Sequence, residues 1–137
     1  MKIYVASKFE DHARARSMME CLTALGHEIT FDWTVYEKVD RYALEGQAFD
    51  NFMMTCAVND IRGAVAADVI VFLWNPACQG AFIEMGTVQL SKPVVVLKTN
   101  GRQRSNTVFL WLPNVTVVTT KKELFAKLQH LAEMGNS

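Results

Sequence analysis

Two uninterrupted apolar runs, Val69-Ile70-Val71-Phe72-Leu73 and Val94-Val95-Val96-Leu97, constrain the fold more than any other feature of the chain. Each has the length of a strand, and neither alternates with polar residues, so both faces of each strand must be covered. Strands of this kind belong to parallel sheets, whose neighbours are joined by crossovers that helices supply.

The flanking sequence fits that scheme. Residues 2–6 read as a strand, and a helix follows with Asp11 as its N-cap; Ala15, Met18, Leu22 and Leu25 form its apolar stripe and Gly26 its C′ residue. A second strand is expected at 28–31. Residues 32–46 mix aromatics and charges without a period and read as an ordered loop or a lid. A helix at 48–66 carries Phe49, Met53 and Cys56 on one face, and another begins near Gly80 or Ala81 and is ended by Lys92-Pro93. A loop at 100–107, a strand at 115–119 and a helix at 121–134 complete the chain, with a frayed end after it. The reading is one α/β domain over residues 1–137: a doubly wound, five-stranded parallel sheet flanked by helices, flavodoxin-like or Rossmann-like. Ligands of such sheets bind beyond the carboxyl ends of the strands, which directs attention to the segments after residues 6, 31, 73 and 97.

Composition removes several function classes. Lys and Arg total 14 against 14 Asp and Glu, so no basic excess favours a nucleic-acid polymer as partner. No apolar run approaches the ~20 residues of a membrane span, and the chain enters its first strand without a cleavable leader, so no membrane partner and a cytoplasmic location are expected. Cys21, Cys56 and Cys78 form neither a disulfide framework nor a C-x-x-C pair and read as packed thiols. His12, His27 and His130 lack an i, i+4 partner, so no metal site is expected. Neither glycine-rich phosphate fingerprint nor a G-x-S-x-G elbow is present, and nothing in the chain calls for a cofactor.

Two carboxylates stand out. Glu84 lies in Gly80-Ala81-Phe82-Ile83-Glu84-Met85-Gly86, in what reads as the opening turn of a helix at the mouth of the crevice. There the helix dipole would favour its ionised form, as a nucleophile at neutral pH requires; the alternative is simply a favourable residue in a first turn. Gly86, which costs a helix about 1 kcal/mol, points to close approach of a ligand or another backbone. Asp60 continues the register of Phe49, Met53 and Cys56. On an apolar stripe its pKa would rise, which suits an acid that later acts as a base; the alternative is an aspartate facing water. Asp68, just before a strand, reads as a turn or cap residue. Ser7 follows the first strand in Ala6-Ser7-Lys8-Phe9, where a hydroxyl and backbone N–H groups can hold an anion or a sugar hydroxyl. After the second strand, Trp33 can stack on a flat base while Asp32 pairs with its edge, or the indole can cap the core rim.

The segments Ile3-Tyr4-Val5-Ala6-Ser7, Ala67-Asp68-Val69-Ile70-Val71 and Gly80 to Gly86, followed by Lys92-Pro93-Val94, resemble the nucleoside 2-deoxyribosyltransferase family and its nucleotide N-glycosidase relatives. The resemblance covers roughly residues 2–110 and is most specific in the G-x-x-x-E-x-G element. It implies Glu84 as nucleophile and Asp60 as acid or base, with Gly80 at the substrate. Phe9, Asp32 and Trp33 would line the base side, and Tyr4 would position Glu84 or the sugar. A small-molecule nucleoside or nucleotide is the implied partner. The resemblance also implies a homodimer or homotetramer with shared active sites, in which Ser105 or Asn106 of the 100–107 loop reaches the 5′ end of a nucleoside bound to a neighbour. The implied reaction is cleavage of an N-glycosidic bond through a glycosyl-glutamate, the sugar passing to a second base or to water. Family members carry serine or aspartate where this chain has Cys78, and it lacks their C-terminal tyrosine, so cleavage is expected ahead of transfer. Rival readings are a glycohydrolase acting on NAD and a catalytically silent nucleotide-binding module.

Overall fold

The two apolar runs are neighbouring central strands. A computed structural model describes residues 1–75, 77, 79–88, 90–100 and 108–135. The strands are β1 (Lys2–Ala6), β2 (Glu28–Ile29), β3 (Val69–Leu73), β4 (Val94–Leu97) and β5 (Val115–Val118). They form one sheet in the order β2-β1-β3-β4-β5, every pair parallel, with Tyr4 opposite Ile70 and Ile70 opposite Val94. Every residue of β3 is fully buried and β4 nearly so, as uninterrupted apolar strands require.

The helices are α1 (His12–Ala24), α2 (Gly46–Ala66), α3 (Gln79–Val88) and α4 (Lys121–Gly135). The chain steps from β1 outward to β2, then returns past β1 to β3 and proceeds to β4 and β5. Right-handed crossovers therefore place α2 and α3 on one face and α1 on the other, and α2 packs against α3. The step reverses between β1 and β3, so the crevice of this flavodoxin-like α/β sheet opens at their carboxyl ends. Among the described residues, no helix is long and apolar enough to cross a membrane.

Several local expectations change. The α1 stripe buries Ala15, Met18, Met19 and Leu22, but Leu25 is exposed because the helix has already ended. Gly26 takes φ +93°, its N–H bonding Thr23 O while that of His27 bonds Leu22 O, a Schellman closure. Asp11 stands at the N-cap of α1 but its side chain does not cap the helix; it accepts from Asn75 Nδ2 at 3.4 Å instead. β2 has two residues rather than four: beyond it Thr30 turns its hydroxyl onto Gly63 O at 2.7 Å. Helix α3 stops at Val88 and not at Lys92-Pro93, since the N–H and hydroxyl of Ser91 both take the Val88 carbonyl. The 32–46 segment is two short 3-10 helices, Trp33–Lys38 and Arg41–Ala43, capped by Asp32 and Asp40. Asp68 accepts from the backbone N–H of Lys2 at 2.8 Å, tying the starts of β1 and β3.

Candidate active site

Tyr4, in the middle of β1, is fully buried and aims its hydroxyl at α3, where it donates to Glu84 Oε1 at 3.0 Å. The ring fits because α2 presents Gly63 to it: a Cβ there would lie 2.8 Å from Tyr4 Cδ2 and 2.8 Å from Phe31 Cβ. Only glycine lets helix and strand approach so closely. Burial and two neighbouring carboxylates push the Tyr4 hydroxyl far above its ordinary pKa, so it serves as a fixed donor.

Glu84 is the sixth residue of α3, in its second turn rather than its first, where the influence of the helix terminus has faded. Desolvation dominates there. Burial first, and the charge of Asp60 second, raise its pKa to about 8, with the Tyr4 hydrogen bond working against them. The carboxyl of the free protein is therefore largely protonated at neutral pH, opposite to the ionised state expected from a first-turn position. Asp60 is raised to about 6 by burial, offset by the nearby Arg41 guanidinium, and its Oδ1 is buried without a hydrogen-bond partner. Near pH 7 the two carboxylates thus hold one proton between them.

Both face a cleft whose inner part, about 280 Å³, is walled by Phe9, Trp33, Tyr36, Met53 and Ile83. It opens outward past Ser7, Lys8, Ala77 and Gly80. Trp33 is buried, its indole N–H fixed to Val5 O at 2.7 Å, and its ring stands 6.2 Å from that of Phe9. The indole is thus a wall anchored in the core. Arg41 spans the cleft edge, its guanidinium carbon 4.0 Å from the Phe9 centroid. Cys56 also lines the cavity, but burial and the Asp60 charge raise its thiol pKa, which makes it a poor nucleophile at neutral pH. Among the described residues, no group of three or more His, Cys, Asp or Glu side chains is placed to hold a metal ion.

The 3-10 segment carrying Trp33 and Tyr36 is held against α1. Arg16 donates to Thr34 O at 3.1 Å and to Glu37 Oε1 at 2.5 Å, and His12 Nε2 meets Glu37 Oε2 at 2.5 Å. The Arg16 hydrogen bond keeps the Glu37 carboxyl below its usual pKa. Asp32 accepts from the N–H and hydroxyl of Thr34, and so works as the cap of this segment. It borders a separate hollow beside Arg16 and Met19, away from the Glu84 cleft.

The fold therefore gathers Glu84, Asp60, Ser7, Phe9, Trp33 and Gly80 around one cleft, with Tyr4 behind Glu84, and leaves Asp32 apart. Ser7 donates to the neighbouring Lys8 O. Gly86 makes no close approach: a Cβ there would meet nothing within 4 Å, and the residue borders an apolar groove between α3 and Phe109. Ser105, Asn106 and Cys78 lie outside the described residues. Arg41, Tyr36 and Met53 enter the site unannounced. Met53 shared the Asp60 stripe and was accessible to periodicity, whereas Arg41 and Tyr36 sit in an aperiodic segment that carries no such signal. Compared with protein-family models and with curated protein sequences, the chain matches none.

Proposed function

We propose that the protein cleaves the N-glycosidic bond of a nucleoside or its 5′-monophosphate by a retaining displacement. The observation that carries this reading is the pair of carboxylates in one cleft: Glu84, oriented by the Tyr4 hydroxyl, and Asp60, with which it shares a proton. In the reactive arrangement the proton resides on Asp60 and Glu84 is ionised. Glu84 attacks C1′, forming a C1′–O bond as the C1′–N bond breaks, and the electron pair passes to the base nitrogen, which takes the Asp60 proton directly or through water. Positive charge growing at C1′ favours the ionised Glu84 next to it, which offsets the desolvation that protonates it in the free protein. Asp60, now a carboxylate, then takes a proton from water or a second base as that nucleophile expels Glu84 from C1′. Capture by water makes the protein a hydrolase and capture by a base a 2-deoxyribosyltransferase.

The resemblance of residues 80–86 to the nucleoside 2-deoxyribosyltransferase element supports the same assignment. Exposed Ile83, Leu90 and Phe109 border the apolar groove and give a second copy of the chain a surface to cover. Light scattering tests that assembly; a monomer at micromolar concentration argues against shared sites.

The decisive experiment is chromatography of wild type and Glu84→Ala incubated with deoxynucleosides, ribonucleosides, their 5′-monophosphates and NAD, each with and without a second free base. Base release or exchange by wild type alone is expected. Turnover of NAD only moves the assignment to a dinucleotide glycohydrolase. No turnover, with ligand binding retained in both proteins, overturns the enzymatic reading in favour of a binding module.

A further inference from the structure

Among the described residues, Arg41 is the only basic side chain lining the inner cavity, and its contacts leave it underused. Its guanidinium lies over the Phe9 ring at 4.0 Å, and Nη1 points to the thioether of Met53 at 3.9 Å, a weak acceptor. Nε is buried with no hydrogen-bond partner. Among the described residues Arg41 makes no ion pair with a carboxylate, and Glu37 pairs with His12 and Arg16. Asp60 lines the same cavity with its Oδ1 equally unpartnered, near enough to feel the Arg41 charge yet not in ion-pair contact with it. A buried donor and a buried acceptor left open on one cavity are costly unless a ligand engages them. The edge of a nucleobase, which sets ring nitrogen or carbonyl acceptors beside N–H donors, has the matching chemistry.

We propose that Arg41 holds an acceptor atom of the leaving base and takes up the negative charge that reaches the base as the C1′–N bond breaks. This inference rests on the reading of the cleft as an N-glycosidase site. The bond cleaved, the nucleophile and the proton from Asp60 are those given above; Arg41 adds hydrogen bonds that strengthen as the electron pair arrives, and transfers no proton itself. Stacking on Phe9 fixes the plane of the guanidinium in advance. A 5′-phosphate is a poorer occupant of this position, because it would bring its charge against the one that Asp60 and Glu84 carry between them.

The test compares kcat/KM for wild type, Arg41→Lys and Arg41→Met on a nucleoside, its 5′-monophosphate, and the 4-nitrophenyl glycoside of the same sugar. Arg41→Met is expected to lose roughly 10²- to 10³-fold on the nucleoside and the monophosphate alike. It should lose less than about tenfold on the nitrophenyl glycoside, whose leaving group carries its charge unaided, and Arg41→Lys should recover part of the loss. Equal losses on all three substrates overturn the proposal and leave Arg41 as a wall of the cavity. A loss confined to the monophosphate also overturns it and assigns Arg41 to the phosphate. If wild type turns over none of the three, the N-glycosidic reading itself falls, and this inference with it.

Discussion

The Tyr4 hydroxyl reaches Glu84 Oε1 at 3.0 Å across 80 residues of sequence, joining the middle of a central strand to the second turn of a helix. The bond holds one carboxyl oxygen of a side chain that lines the cleft. Its loss in Tyr4→Phe should lower kcat/KM by about 10- to 100-fold, the worth of a hydrogen bond to a charged group. Because that bond lowers the Glu84 pKa, the alkaline limb of the variant's pH profile should move upward. Steady-state kinetics from pH 5 to 10 check both; an unchanged limb would detach Tyr4 from Glu84.

With Asp60 raised to about 6 and Glu84 to about 8, one proton is held between them over the interval from about 6 to about 8. The kcat/KM profile of wild type should therefore be a bell with limbs near those values. Asp60→Asn removes both the proposed proton donor and the charge that helps raise Glu84. The expected profile loses its alkaline limb, keeps one acid limb below that of Glu84 in wild type, and falls by at least ~10²-fold in rate.

Stability should follow the same carboxyl. Glu84 binds its proton more tightly folded than unfolded, so folding stability declines as pH rises from about 4.5 to about 8 and the full cost is present above that. Glu84→Gln keeps an acceptor for Tyr4 and removes the charge. It should be more stable than wild type at pH 9, by on the order of a few kcal/mol, and therefore melt at a higher temperature there, while differing little at pH 4. Equal melting temperatures at both pH values would show that Glu84 does not resist ionisation.

Gly63→Ala places a methyl group 2.8 Å from both the Tyr4 ring and Phe31 Cβ, so one of them must shift. The expected cost is about 1–3 kcal/mol by urea unfolding. Because the displaced ring carries the Glu84 hydrogen bond, activity per folded molecule should fall as well; a purely thermodynamic effect would leave it intact.

Lys92 closes the C-terminus of α2 from a distance, its Nζ donating to the carbonyls of Ala64 at 3.2 Å, Val65 at 2.7 Å and Ala67 at 2.5 Å. Lys92→Met should cost about 1–3 kcal/mol in chemical unfolding, since the carbonyls at the end of α2 lose the Lys92 ammonium, while the pH profile of activity stays in place.

What the sequence determined by itself was the sheet and the chemistry available to it. The apolar runs of β3 and β4 announce strands covered on both faces, and Gly26 announces the end of α1, because each is a local requirement of the backbone. Asp60 was legible as an unusual carboxylate because its helical period places it on the stripe of Met53 and Cys56. Tertiary structure decided the rest. Whether Glu84 is ionised depends on burial and on Asp60, 24 positions earlier in the chain and on another helix, and these outweigh the pull of a helix terminus. Asp32 became a cap because the N–H and hydroxyl of Thr34 both claimed its Oδ1, and Trp33 became a fixed wall because Val5 O claimed its N–H. Arg41 could be found only in the fold, for desolvation and charge proximity are set by the packing of distant segments and leave no period in the sequence.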